Sequence, residues 1–223
     1  MIITIDGPAS SGKSTVAEIL AKELGFIHFN SGALFRGITA HLYKHNFDIE
    51  SISSNSTIPT CNLEVVMINN EQHVFVNSID YTAVLRDNEI STLVAYVAQN
   101  KTCREIIDNC QRTFGEKNNI VIEGRDVGSH VFPNAQIKFY LDCSVQERAR
   151  RRFLEEKTKN SLITIDEIEQ QIKKRDDMDK NRDIAPLIVP TDAIIIDSTT
   201  LTIDEVVEKM LSYVTKEIDY PLN

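Results

Sequence analysis

The run Gly7-Pro8-Ala9-Ser10-Ser11-Gly12-Lys13-Ser14 constrains this chain more than any other stretch. It fits the phosphate-loop pattern G-x-x-x-x-G-K-[ST]. The pattern alone is short, and ordinary residue usage would produce it by accident in about one chain of this length per hundred. Its context supplies a mechanism. Ile2-Ile3-Thr4-Ile5 is a β-favouring run that suits a buried strand. After the loop, Val16, Ile19, Leu20, Ala21 and Leu24 recur at helical spacing, and Gly25 is placed to end the helix. In a strand–turn–helix corner of this kind the loop N–H groups and the positive end of the helix hold an anion. Lys13 would reach the outer phosphates and the Ser14 hydroxyl would ligate Mg²⁺, with Thr15 adjoining the phosphate cradle.

At 223 residues the chain is long enough for one domain with insertions. No basic and apolar leader precedes the first strand, and no apolar run approaches the length of a membrane span. A cytoplasmic protein with no membrane partner is therefore expected. Cys61, Cys103, Cys110 and Cys143 are widely spaced, which suits reduced core residues rather than a metal site. The net charge of −9 argues against nucleic acid as a partner. An anionic ligand must then be held by locally gathered basic residues, so the positions of the arginines matter more than their number.

Along the chain, Phe26–Phe29 reads as a second strand and Ala33, Leu34, Phe35, Ile38 and Leu42 as a helix carrying Arg36 near its start. Residues 48–60 are rich in Ser, Asn and Thr and read as a linker. Three short β-prone runs between Leu63 and Leu85 predict a small antiparallel meander. Residues 89–114 read as one helical stretch. Ile120–Ile122, Ile137–Leu141 and Ala193–Ile196 are apolar throughout, as in parallel strands covered on both faces. Each ends in polar residues that should line the cleft at the carboxyl edge of the sheet. Ser144-x-x-Glu147, Thr164-x-x-Glu167 and Thr202-x-x-Glu205 predict capping boxes.

The arginines fall in clusters. Arg148, Arg151 and Arg152 share one face of the helix starting near 145, whereas Arg150 points elsewhere. The polar stretch Glu155–Ser161 that follows suits a mobile flap. From 165 to 182, Ile165, Ile168, Ile172, Arg175, Asp179 and Arg182 form one stripe, apolar at first and then charged. A solvated helix face or a surface salt bridge would satisfy either pattern taken singly. Arg125 and Asp126 directly follow a buried strand, where idle surface charge is less expected. One nucleotide on the phosphate loop does not need so many guanidinium groups. A second phosphorylated ligand facing the first would account for them.

With Ile5-Asp6-Gly7-Pro8, Ser31-Gly32-Ala33-Leu34-Phe35-Arg36, Gly124-Arg125-Asp126-Val127-Gly128 and Arg175-Asp176-Asp177-x-Asp179-x-Asn181-Arg182 in place, the sequence resembles the bacterial cytidylate kinases. Ala185-Pro186-Leu187 and Asp197-Ser198-Thr199-Thr200 extend the likeness to about residue 215. The resemblance implies an α/β P-loop kinase: a parallel sheet flanked by helices, a small antiparallel β insert and a mobile lid. It implies a core of residues 1–30, 116–147 and 183–223, an acceptor-binding region 31–115 with the insert at 63–85, and a lid at about 148–165. It further implies ATP-dependent phosphorylation of CMP and dCMP by a monomer. Arg36, Arg125 and Arg182 would hold the monophosphate beside Ser31, Arg175 and Asp179 the sugar, and Arg104 and Asp126 the base. Lys13 and the lid arginines 148, 151 and 152 would be catalytic. Four positions depart from the common pattern: Asn30 for Asp, Phe35 for Tyr, Ala95 for a base-contacting Ser and Met178 for Arg.

Two other readings share the phosphate loop. Another small-molecule kinase need not keep Gly124-Arg125-Asp126 or the Arg175 stripe. A GTPase-like switch would need Asn-Lys-x-Asp, and Asn100-Lys101-Thr102-Cys103 lacks the Asp.

Overall fold

The computed structural model describes residues 1–158 and 163–219. The phosphate-loop corner comprises strand β1 (Ile2–Asp6) and helix α1 (Lys13–Leu24). Gly25 ends α1 in the left-handed conformation at φ 67°, where glycine carries no Cβ penalty. Strand β2 (Ile27–Asn30) runs straight into helix α2 (Ser31–Lys44), which Asn30 caps by accepting from the Ala33 N–H. Among the described residues, β2, β6 (Ile120–Glu123), β1, β7 (Ile137–Asp142) and β8 (Ile194–Asp197) lie in that order and all pair in parallel. The register sets Ile5 and Asn30 on either side of Glu123, so the carboxyl ends of three strands open into one place.

The expected meander is present as β3 (Leu63–Ile68), β4 (Glu71–Val76) and β5 (Ile79–Asp80), all antiparallel. It lies on α2. A Cβ at Gly37 would come within 2.5 Å of Val74 Cγ1, so the glycine is what lets β4 approach. Burial divides between two sides of the main sheet. Ile3, Ile5 and Phe139 pack with α1 and α7 (Ile203–Asp219). Phe29, Ile120 and Ile122 pack with α2, α3 (Asn88–Val97), α4 (Lys101–Gly115) and the insert.

Several expectations need correction. Residues 48–60 form no regular element, yet they are not a loose linker. Ile49, Ile52 and Ile58 are buried, and Asn100 donates to the carbonyls of Ser53 and Ser56. The helical stretch 89–114 is two helices, because Asn100 breaks the run and caps α4 through the Cys103 N–H. Strand β8 is an edge strand with Ile195 62% exposed, so its apolar run is not covered on both faces. Thr164 and Thr202 make full capping boxes with Glu167 and Glu205. Ser144 makes half of one, because the Glu147 side chain is drawn to Arg150 and Arg151. The charged helices are α5 (Val145–Thr158) and α6 (Ile165–Asn181); Ile168 and Ile172 are buried on the α6 stripe, while Ile165 is exposed. Of the flap expected at Glu155–Ser161, residues 159–161 lie outside the described residues.

The close approach at Gly37 gives a test. Gly37→Ala should destabilise the fold by about 1–3 kcal/mol through overpacking, although Ala is the better helix former by about 1 kcal/mol. Adding Val74→Ala should restore part of the loss, as read by urea denaturation of the single and double variants.

Candidate active site

The carboxyl ends of the central strands open into a cleft of about 1290 Å³. One wall is the phosphate loop. Gly7, at φ 151°, has no room for a side chain: a Cβ there would sit 2.2 Å from the Leu141 carbonyl oxygen. Ser10 at φ 60° and Gly12 at φ 93° complete the curl that turns the chain into α1. Gly12, Ser10, Ser11, Lys13, Ser14 and Thr15 line the cleft. Lys13 is buried and its Nζ donates to the Pro8 carbonyl (2.6 Å) and to Ser11 Oγ (3.2 Å). Burial first, and the Arg125 charge second, push its ammonium pKa well below the usual value. Ser14 Oγ donates to Glu123 Oε1 at 2.6 Å. In the sequence Glu123 is only one of the polar residues that follow the apolar run Ile120–Ile122. Its place in β6, between the strands ending at the loop and at Asn30, is what makes it part of the site.

The opposite wall holds guanidinium groups of two kinds. Some are neutralised in pairs. Asp126 accepts from Arg104 Nη1 (2.8 Å) and Arg182 Nη2 (2.7 Å). Asp179 accepts from Arg125 Nε (3.0 Å) and lies 3.6 Å from Arg182 Nη1. Arg182 is further fixed by donating to the Ala185 carbonyl. Others have no carboxylate. Arg36, Arg152 and Arg175 line the cleft, and none has an ion-pair partner among the described residues. Arg175 donates to the Ser91 carbonyl, but its Nε is buried with no acceptor. Burial first, then Arg125, lower its pKa to about 9. Burial also lowers the Arg36 pKa, with Arg125, Arg152 and Arg86 adding repulsion against the pull of Glu123. An anion placed among these groups would relieve desolvation and mutual repulsion together. Arg86, which sequence analysis missed, is a further cleft residue on this side.

The structure brings Ser31, Arg36, Arg125, Asp126, Arg175, Asp179 and Arg182 to the cleft. Arg104 lies beneath its floor, 2% exposed, stacked under the Phe35 ring at 5.3 Å and held by the Ala98 carbonyl. Its Nη2 is a buried donor with no partner. Ala95, Ala98 and Val94 form the apolar lining nearby.

The arginines of α5 divide differently from their helical spacing. Arg148 is buried behind the phosphate loop rather than over it. It donates to the Cys143 carbonyl (2.9 Å) and the Ala9 carbonyl (2.9 Å) and pairs with Asp176 at 2.7 Å. Asp176 in turn accepts from the Ala9 N–H, so an ion pair grips both sides of one loop residue. In the first turn of α5, Arg148 is drawn to the loop and α6, while Glu147 in the same turn lines the cleft. Arg151 and Arg152 line it too, with Arg151 donating to the Ser198 carbonyl and to Glu147. A Cβ at Gly12 would lie 3.8 Å from Arg151 Nη1, which sets that guanidinium over the loop. Arg150, expected to point elsewhere, lines the rim beside Glu147.

Beneath the cleft, Asp6 accepts from the N–H groups of Val127 (3.0 Å) and Gly128 (2.7 Å) and so fixes the turn that carries Arg125 and Asp126. Burial, with Asp126 nearby, raises its pKa to about 7 despite those hydrogen bonds.

The sequence profile described as cytidylate kinase matches residues 3–216. The chain belongs to the cytidylate kinase family. It is 38% identical over 216 residues to the cytidylate kinase of Bacillus subtilis (strain 168), covering 96% of each chain. It is 41% identical over 214 residues to that of Caldanaerobacter subterraneus subsp. tengcongensis, covering 96% of this chain and 94% of the other. Among solved structures, a gluconokinase from Sinorhizobium meliloti 1021 superposes with a TM-score of 0.52 at 12% identity, over 96% of this chain and 91% of that one. At that identity the likeness speaks to the fold alone, and it places this family member on a kinase fold.

The Asp6 shift has a definite sign. Asp6 binds its proton more tightly when folded, so its contribution to stability is complete below the ordinary value of 3.8 and is lost as pH rises to about 7. The unfolding free energy of Asp6→Asn should therefore fall less than that of the wild type between about pH 4 and about pH 8. Parallel urea denaturation series check this; equal falls in the two proteins would contradict it.

Proposed function

We propose that this family member transfers the γ-phosphoryl group of ATP to CMP and dCMP, with the donor on the phosphate loop and the acceptor among the arginines facing it. The observation that carries this reading is the set of guanidinium groups with no carboxylate partner among the described residues, Arg36, Arg152 and Arg175, which line the same cleft as Lys13. Charge left unpaired at partly buried positions suits a ligand that supplies the missing anion.

The proposed residue roles are those that the resemblance to the family implies, and the cleft lining is compatible with them. Arg36, Arg125 and Arg182, with Ser31, hold the acceptor phosphate, while Arg175 and Asp179 take the sugar. Asp126 keeps acceptor capacity beyond its two arginines and takes the cytosine amino group. The unpaired Nη2 of Arg104 is suited to the base's acceptors. Uracil presents the opposite pattern and would leave buried polar groups unmatched, a penalty that discriminates strongly. The acceptor phosphate is already ionised near neutral pH, so no general base is needed. Catalysis is then positioning and charge neutralisation by the loop from Gly7 to Thr15, Lys13, Arg151 and Arg152.

The oxygen donors at the loop fit Mg²⁺. The Ser14 hydroxyl lies against the Glu123 carboxylate, a hard pair of the kind that binds Mg²⁺ together with phosphates. Bound there with ATP, the ion would neutralise phosphate charge. Residues 1–30, 116–147 and 183–223 act as the core, 31–115 as the acceptor-binding region and about 148–165 as the lid; 159–162 of the lid and 220–223 of the core range lie outside the described residues. Arg148 acts within this scheme by holding the loop from behind. No helix among the described residues is long and apolar enough to cross a membrane. A cytoplasmic monomer without a nucleic-acid partner fits these features.

A coupled assay of ADP release should show turnover with CMP and dCMP well above UMP and AMP. Activity confined to AMP, or hydrolysis indifferent to all four, would overturn the assignment. Lys13→Ala should remove most of kcat. Arg182→Ala should raise the KM for CMP far more than that for ATP, and unchanged CMP kinetics would sink the acceptor roles. Arg152→Met should lower kcat with little change in thermal stability. Arg148→Met should lower stability itself, since it strands the buried charge of Asp176, a loss of about 3–5 kcal/mol.

A further inference from the structure

The β insert approaches the cleft through one side chain. On β4, Val76, Val74 and Gln72 share the face turned to α2, since side chains alternate along a strand. Val74 and Val76 pack at Gly37. Gln72, the last of the series, reaches past the start of the helix to the end of β2. Its Oε1 accepts from the Asn30 N–H at 2.7 Å, and its Nε2 donates to the Asn30 carbonyl at 3.1 Å. β2 is an edge strand of the main sheet, and Asn30 pairs with Glu123 of β6 on its other side. The Gln72 amide therefore does for Asn30 what a peptide of a neighbouring strand would do.

Asn30 is the hinge between strand and helix. Its backbone is held by Gln72, and its side chain caps α2 at the Ala33 N–H. Within the next two turns come Ser31 and Arg36, and Arg36 folds back so closely that a Cβ at Gly32 would meet its Nη1 at 2.8 Å. The tip that delivers Gln72 is a tight turn, with Asn69 and Asn70 both at positive φ (51° and 65°), the geometry that matches the twist of a two-stranded hairpin. Asn70, Glu71 and Gln72 themselves line the cleft. Further along α2, His41 lies 3.1 Å from the Tyr81 hydroxyl and 3.2 Å from Asn77 Nδ2, a second tie between insert and helix.

We propose that Gln72 is a positioning residue for the acceptor phosphate: its amide locks Asn30, and through Asn30 the start of α2 that presents Ser31 and Arg36. The insert thus contributes to the acceptor side through the backbone of Asn30. This inference rests on the acceptor role of the Arg36 wall. Gln72→Met keeps the length of the side chain and removes both hydrogen bonds. Gln72→Glu can still accept from the Asn30 N–H but sets a carboxylate against the Asn30 carbonyl.

The test measures both nucleotide KM values, kcat and amide hydrogen exchange by NMR in the full chain. The comparison is with Gln136→Met, which removes a similar side-chain contact to the Ile2 N–H at the opposite end of the sheet. In Gln72→Met the KM for CMP should rise about three- to tenfold, the scale of a lost hydrogen-bonded contact, while the KM for ATP changes by less than about twofold. Gln72→Glu should be the worse of the two. Exchange at the Asn30 and Ala33 amides should quicken in Gln72→Met and not in Gln136→Met. An unchanged CMP KM in an enzyme that does phosphorylate CMP would overturn the inference and leave the acceptor reading standing. An equal rise in Gln136→Met would reduce the effect to general destabilisation and overturn it too. Unchanged exchange at Asn30 and Ala33 in Gln72→Met overturns it whatever the acceptor proves to be.

Discussion

Gathering guanidinium groups around one cleft sets like charges against each other, and the arrangement rests on three buried aspartates. Asp126 bridges Arg104 and Arg182, Asp179 sits between Arg125 and Arg182, and Asp176 pairs with Arg148. Each is about 5% exposed, so these pairs are little screened by water. They neutralise the arginines that must stay fixed. Arg36, Arg152 and Arg175 have no carboxylate partner among the described residues, so the cleft keeps a local surplus of positive charge that suits an anionic ligand. An overall acidic chain can thus hold an anion, because the excess is local.

Two of these aspartates lie on α6 three residues apart, and they serve opposite walls. Asp176 reaches back to the Ala9 N–H of the phosphate loop, whereas Asp179 reaches the Arg125 and Arg182 side. One helix therefore ties the phosphate loop to the Arg125 and Arg182 side of the cleft. Phosphoryl transfer by positioning needs that kind of registration, since small misplacements of the reacting groups are costly in rate. The insert adds a second registration from the far side, packed along α2 at Gly37 and joined to its start through Gln72.

Much of this was legible in the linear sequence where the cause is local. The phosphate loop, its strand and its helix are contiguous, and the conformations they need are written in Gly7, Gly12 and Gly25. The meander at 63–85 showed in alternating β-prone runs and Asn-rich turns. The misreadings share an origin in contacts distant along the chain. Residues 48–60 looked like a linker by composition, but Asn100 and three isoleucines fold them onto the core. Arg148 shared a helix face with Arg152, but its first-turn position lets Ala9, Cys143 and Asp176 claim it. Glu123 was one polar strand end among several until the register set it beside Ser14.

The sequence by itself determined that a phosphate chain is held after the first strand, that the fold alternates strand and helix, and that arginines cluster on two helices and one strand end. Those follow from short-range propensity, periodicity and motif spacing. Only the tertiary structure decided which arginines are neutralised and which keep free charge. That depends on which carboxylate lies within about 4 Å of each guanidinium, and such neighbours lie as far apart along the chain as Asp126 and Arg182.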